Sequence, residues 1–576
     1  MSFYNTGNPV PSIDPRDLDD NAKHIDEIVN STLETFLDRL GTERLTLAGL
    51  EAAVSPALSL RNDLAAANGA NLVTFSPVGA GHLDRPIQTK TREYDISVKD
   101  FGAIGDGTSH PVSEWYTIGF SAYRGYANLG AVQVDYPFVT SGADLIDWAA
   151  IEAALIAGAG KSVGFPLSTG AYVKDRHNRI RANTHLVFDP GTVVKRVGNL
   201  DSWMFVNGEV GNATYATGYL GDGNIRITGG TFDLGGIPGV RTSAAFVMGH
   251  SIGLVWEYCV FKNGWESHNI EINASTDALF FKCTFQDQTF AGAGSYECIN
   301  IDSANAAGFP GFGVYDLTVD KNIIVAFCTF RNVYGGVSSH GIAAGAAHHS
   351  RLIVVDNTFE NIAKKAVRAQ GWDDSFICRN HFINIGEEAI TVLIGNRNTV
   401  TGNNISGAST SVNGQFSAIR IEGDENKAKE NIIRDGGYTN KYPYAYGVAA
   451  GSRNEIGTTG ASKGTSNFYT DAGTLTNIDG HVLLFSGSAS GAATVVTLLD
   501  SLNNYEHIEV STGAVTGGLY QSAIARPFAR RAWAVGTDYV AVTSASGRFV
   551  ASVTSLTSLT ITTSSDAVRQ IYGVAA

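Results

Sequence analysis

Long apolar runs, a basic excess, methionine and paired cysteines are what this chain does without. No stretch of 18 apolar residues occurs among its 576, which excludes an α-helical membrane span. Lys and Arg number 41 against 55 Asp and Glu, a formal charge of −14. An acidic surface argues against sequence-independent nucleic-acid binding but leaves an acidic glycan open as a ligand, because local patches decide that. The five cysteines, Cys259, Cys283, Cys298, Cys328 and Cys378, are confined to the middle of the chain. Their odd number reads as buried thiols, not a disulfide framework. The first residues, MSFYNTGNPVPSIDPRD, carry neither the basic nor the apolar region of a signal peptide, so synthesis without export is expected. GDGNIRITGG has the glycines of a phosphate loop but no lysine, and reads as a turn. His348 and His349 lack partners at ligand spacing, so neither metal nor cofactor is expected.

What is present is turn-rich β composition: 65 Gly, 17% charged residues and 44% hydrophobic residues, enough for a continuous core. Residues 18–40 place Leu18, Ala22, Ile25, Val29, Phe36 and Leu40 at heptad-like spacing, interrupted at Thr32. This predicts a short helix able to pack as a parallel coiled coil, or a single amphipathic helix. LTLAGLEAAVSPALSLRNDLAAANG comes next as a second helical piece. In ISVKDFGAIGDGTSH, Val98, Phe101 and Ile104 fit a strand running into a tight turn. Ile146, Ala150, Ile151, Ala154 and Leu155 have helical spacing and suit a helix closing the end of a long sheet.

Residues 224–437 contain an internal repeat. GTF, CVF, CTF, CTF, NTF, NHF and NNI end at 232, 261, 285, 330, 359, 382 and 405. The 45-residue step from Phe285 to Phe330 implies a coil with a large insertion. Two residues before each later marker stand Cys259, Cys283, Cys328, Asn357, Asn380 and Asn403. Like residues at a fixed turn are expected to stack as ladders, because one backbone niche recurs along a solenoid axis. A second column aligns HNIEIN, CINID, GIAAG, AVRAQ, AITVL and AIRIE, with Ile270, Ile299, Ile342, Val367, Ile390 and Ile419 inward. After about residue 465 the repeat gives way to alternating strands with Ser/Thr/Gly turns, the pattern of an antiparallel sandwich. The fold predicted is all-β: a right-handed parallel β-helix over 91–464, a helical N-terminal segment over 1–90 and a β-sandwich cap over 465–576.

VKDFGAIGDGT resembles the opening motif of the pectate-lyase-like superfamily as it occurs in phage tailspikes, and AAIEAALIAGAG…VGFPLSTGAY matches the helix and strand that come after that motif in the family. NPVPSIDPRDLDDNAKHIDEIVNS…DRLGTERLTLAGLEA looks like the virion-attachment segment of podovirus tail proteins. The likeness is to capsule-depolymerase tailspikes of Klebsiella podoviruses and covers most of residues 1–440 and the C-terminal cap. In one departure, SHPVSEWY stands where an Asp-rich turn is often found after the motif. The resemblance implies a homotrimer in the virion, joined to other tail proteins through its N-terminal segment, that binds and degrades bacterial capsular polysaccharide.

Glycoside hydrolysis needs two carboxyl groups across the scissile bond. The aligned outward columns read Asn269, Cys298, Gly341, Ala366; Glu271, Asn300, Ala343, Arg368; and Asn273, Asp302, Gly345, Gln370. Glu271 and Asp302 then lie one coil and two residues apart, with Cα atoms about 8 Å apart. Carboxyl separations of about 5–9 Å result, spanning retaining and inverting geometries. Small residues at Ala343 and Gly345 would leave room for a sugar ring. Glu297 shares the parity of Ile299 and is expected at the groove edge, on a bend, as the third catalytic candidate. His268 and His340 fall at equivalent positions and would form a His–Glu–His column. Arg368 and Lys365 are candidates for an acidic sugar, and Trp265 and Trp372 for stacking on a pyranose. A lyase using His340 or Lys365 as base and Arg368 against a uronate is the alternative chemistry; a non-catalytic receptor-binding fibre is the third reading.

Overall fold

A computed structural model describes residues 15–574 except 39–40, 67–72, 76–84, 88–95, 199–202, 239–243, 292–293, 295, 307–310, 343–344, 475, 490–493, 506, 513–520, 526–537, 543–547 and 565–567. Two compact units divide the chain at residue 95. The first holds helices Pro15–Val29 and Leu47–Ala65 around an antiparallel pairing of Thr35–Leu37 with Glu43–Leu45. Thr46 caps the second helix, accepting from the Gly49 amide at 3.0 Å. The heptad seam is therefore shorter than predicted: it stops at Val29, Phe36 lies in a strand, and Leu40 falls outside the described residues. Asn30 and Ser31 end it, their side chains bonding Asp26 Oδ1 (2.6 Å) and the Leu33 amide (3.1 Å) in place of helical continuation. Ile25, Ile28 and Val29 are exposed.

The second unit is a parallel β-helix. Its coils contribute strands in turn to three parallel sheets. Ile96–Ser97 opens the third sheet, but a 3₁₀ turn over Val98–Phe101 replaces the longer strand expected there. Ser97 and Asp100 form a reciprocal capping box that fixes this turn. Helix Ile146–Ala157 covers the first coils, burying Ala150, Ile151, Ala154 and Leu155 in an apolar core that continues to Ile478. The repeat markers build the first sheet: Phe232, Phe261, Phe285, Phe330, Phe359 and Phe382 pair in register on successive strands. Their rings stack, with Phe330 4.6 Å from Phe359 at 7° and Phe359 4.9 Å from Phe382 at 5°. At the adjoining corner, the Asn357 amide donates to Asn380 Oδ1 and the Asn380 amide to Asn403 Oδ1, each at 3.0 Å. Asn431 extends this ladder. The corner residue before each ladder position is left-handed, φ 56° at Asp356 and 54° at Arg379.

The second sheet carries the candidate site. Its strands include Ala244–Gly249, Ile270–Asn273, Glu297–Asp302, Gly335–Ser338, Val367–Gln370, Ile390–Leu393 and Ile419–Ile421. One coil departs from the sequence alignment. Ile299 pairs with Val337 and Asn300 with Ser338, so GGVS forms the strand and GIAAG does not. Gly341, Ile342 and Gly345 lie in the loop after it, while Ala343 and Ala344 are outside the described residues. The reason is steric: a Cβ at Gly336 would stand 2.4 Å from Ala366 O and 2.5 Å from the Phe359 ring. Only glycine fits there, and a pattern of apolar residues does not reveal it. The first outward column is also corrected, because Cys298 and Ala366 are fully buried in the core.

Parallel pairing continues to Asn477–Ile478. From His481 the strands are antiparallel, in two sheets that share a separate apolar cluster including Leu484, Val496, Ile508, Leu559 and Ile571.

Candidate active site

Register on the second sheet aligns Val247 with Glu271, Glu271 with Asn300, Asn300 with Ser338 and Ser338 with Arg368. Glu271 and Asn300 therefore pair as the strand alignment predicts; Ser338 takes the place expected for Ala343. On the next outward column Asn273 pairs with Asp302, and the loop after Ser338 carries His340 against Asp302. Glu271 and Asp302 thus lie diagonally on adjacent strands, with Cα atoms about 8 Å apart.

The two carboxyl groups have opposite surroundings. On the N-terminal side of Glu271 the column becomes apolar, since Val206 and Val247 pack with Ala244 and Phe312. The Glu271 carboxylate accepts from Asn273 Nδ2 at 3.2 Å. Burial, reinforced by the Asp302 charge, pushes its carboxyl up to about 8. Asp302 is equally buried but well supplied with donors: the His340 amide at 3.0 Å, His340 Nδ1 at 2.9 Å and Asn300 Nδ2 at 3.1 Å. Against the cost of burial, these contacts hold it below the ordinary aspartate value.

Glu297 is buried in its strand, where a bend at a groove edge is expected, and it lies beside Gly335, whose missing side chain leaves room for it. His340 Nε2 stands 3.3 Å from Glu297 Oε2, and His268 Nδ1 stands 3.8 Å from the same oxygen and 3.0 Å from Glu297 O. The imidazoles are 5.3 Å apart. His268 and His340 do come together around Glu297, although their strand positions are not equivalent, because His340 comes after Ser338 and sits beside Asp302. Burial pushes His268 down, whereas the Asp302 and Glu297 contacts outweigh burial and raise His340 to about 10. One metal-binding atom from each of His268, Glu297 and His340 lies within 4.8 Å of the other two. His348 is elsewhere, 2.9 Å from Asp373, and His349 is buried against Asp320.

Beside Glu297 a cavity of about 120 Å³ is lined by Tyr334, Gly335, Lys364, Lys365, Arg368 and Glu387. Lys365 pairs with Glu387 and, at 3.2 Å, with Glu388; Arg368 bonds Gln370. Trp265 is half-buried, bridged to Thr289. Trp372 is fully buried, its Nε1 donating to Ser339 Oγ at 2.6 Å, and presents no face to a sugar. The expectation of stacking on Trp372 is corrected: its strand pairs with His349 on the third sheet and turns the ring into the core. Sequence reasoning missed Asn300, Asn273, Ser338 and Tyr334 as site residues. Asn300 and Asn273 were visible as polar residues flanking the carboxylates in their own strands.

No protein-family model matches the chain. Among curated proteins it is similar to the plasmin and fibronectin-binding protein A of Streptococcus pneumoniae, 24% identical over 330 residues. That match takes in 52% of this chain and spans only 40% of the pneumococcal protein. Among solved structures, the pneumococcal surface adhesin PfbA is similar at 18% identity and TM-score 0.45, over 67% of this chain and 96% of that one. The tailspike of Pseudomonas phage phi297 is similar at 15% identity and TM-score 0.43, over 83% and 98%. The tailspike of E. coli bacteriophage HK620, in a mutant form solved with a pentasaccharide, is similar at 12% identity and TM-score 0.43, over 90% and 99%. The β-helix assignment rests on the strand register of this chain itself.

Proposed function

We propose that this chain is a phage tailspike that binds a bacterial surface polysaccharide and hydrolyses it, with Glu271 as general acid and Asp302 as base or nucleophile. The observation that carries the reading is the contrast between two neighbouring carboxyl groups. Glu271 faces an apolar flank that favours its neutral form, while Asp302 collects hydrogen-bond donors that favour its charge. Divergent environments for a close carboxyl pair are how acid and base roles are divided at one pH. Glu297 orients His340 from the far side of the ring. Arg368, which bonds the neutral Gln370, is the cation beside Glu297 that suits an acidic sugar, since Lys364 and Lys365 are paired with Glu387. A lyase would need an unengaged base, and both His340 nitrogens and Lys365 already face carboxylates. This favours hydrolysis over β-elimination. Capsule as the polymer, a homotrimer in the virion, attachment through residues 1–90 and a cap that begins with the antiparallel strands at His481, later than the 465 expected, belong to the same proposal, supported by the resemblance of VKDFGAIGDGT and the N-terminal segment.

Incubation with purified capsular polysaccharide of the host is expected to release oligosaccharides with saturated ends. Glu271→Gln and Asp302→Asn are each expected to lower the rate by about 10²–10⁴-fold while the fold is retained. Unsaturated uronate absorbance in the products would replace hydrolysis by elimination. An undiminished polymer length would leave a receptor-binding fibre.

A further inference from the structure

We propose that His268, Glu297 and His340 form a binding site for a borderline divalent transition metal such as Zn²⁺. Two ligands on one tetrahedral zinc ion, each about 2.1 Å from it, stand about 3.4 Å apart. His340 Nε2 and Glu297 Oε2 are 3.3 Å apart, and His268 completes the set within 4.8 Å. Two imidazoles and one carboxylate make a donor set suited to zinc, cobalt or nickel and not to calcium or magnesium, which prefer all-oxygen shells.

The surroundings supply what such a site needs. His340 Nδ1 lies 2.9 Å from Asp302 Oδ2, so a carboxylate fixes the ring with Nε2 turned toward Glu297. A carboxylate–histidine–metal relay of this kind sets the tautomer and orientation of a ligating imidazole. Asp302 is in turn held by Asn300 Nδ2 at 3.1 Å. Glu297 comes from the first residue of its strand and the histidines from loops on either side, so the ligands belong to separate stretches of chain that the folded coils bring together. Three protein ligands leave a fourth position for water. Metal uptake is measured without polysaccharide, so its failure is separate from a failure of cleavage.

The experiment titrates Zn²⁺ into the full chain after dialysis against a chelator. One ion per chain is expected by calorimetry. Glu297→Gln and His340→Gln are each expected to abolish uptake with the β circular dichroism unchanged. Asp302→Asn, acting through His340, is expected to weaken binding about 10–100-fold, and His348→Gln to leave it unchanged. X-ray absorption at the zinc edge, which needs no variant, should show two imidazoles and no sulfur. No stoichiometric uptake, uptake that survives in both ligand variants, or a spectrum with sulfur ligands would overturn the site.

Discussion

Asn380 and Glu271 are both buried polar residues of the same β-helix, and they stand in opposite relations to its repeat. At the asparagine corner the same side chain recurs coil after coil. Asn380 accepts from Asn357 N and Nδ2 at 3.0 Å and donates to Val354 O at 2.8 Å, so each amide meets the next in one geometry. In the second sheet the column through Glu271 changes at every coil from Val247 onward, reading Val247, Glu271, Asn300, Ser338 and Arg368. Glu271, Glu297 and Asp302 bring three carboxylates into a stretch of strand that is buried throughout. A column that repeats is selected by the niche; a column that breaks the repeat at a cost in desolvation is where chemistry is to be sought.

The contrast can be broken first on the regular side. Phe330→Ala removes a ring stacked between Phe285 and Phe359, at 4.8 and 4.6 Å. A loss of about 3–5 kcal/mol is expected, read as a lower midpoint in denaturant unfolding. Catalysis by the remaining folded chain should persist, because the stack is on another sheet. Asn380→Ala comes next in size. It orphans the Asn357 backbone amide and leaves the Asn357 carboxamide only its bond to Val325 O, and about 2 kcal/mol or more of stability should go, again with polysaccharide cleavage retained at permissive temperature. Full activity loss in folded Asn380→Ala protein would erase the distinction between ladder and site.

Much of the fold is legible in the sequence. Phe markers and Cys/Asn positions reveal the coil register because identical niches select identical residues, and the Glu271–Asn300 and Asn273–Asp302 pairings come from strands of matching parity. The parts that escape are set by close approach and by insertions. GGVS has no apolar signature, since Gly336 is dictated by the Phe359 ring and Ala366 O, so alignment on apolar residues places that coil's strand too late in the chain. Trp372 reads as a stacking platform for a pyranose, whereas its indole is buried and spent on Ser339. The apolar flank of Glu271 needs Phe312, which lies in the insertion of the long coil and has no fixed sequence offset from the strand it covers.

That flank supplies the smallest and sharpest test. With the Glu271 carboxyl raised to about 8, the proposed general acid is protonated at neutral pH and would be lost as pH rises through that value. Initial rates of polysaccharide cleavage should fall tenfold per unit on the alkaline side, equivalent to about 1.4 kcal/mol per unit. Stability should carry the same sign. A carboxyl raised from 4.5 to about 8 favours the folded chain fully below its unfolded value, and that contribution disappears as pH climbs through about 8. Phe312→Ala admits water to the Val247 side of Glu271, so the alkaline limb should move toward lower pH with the rate at its optimum little altered. An alkaline limb that stays in place in Phe312→Ala would mean that the Asp302 charge, not the apolar flank, holds the proton on Glu271.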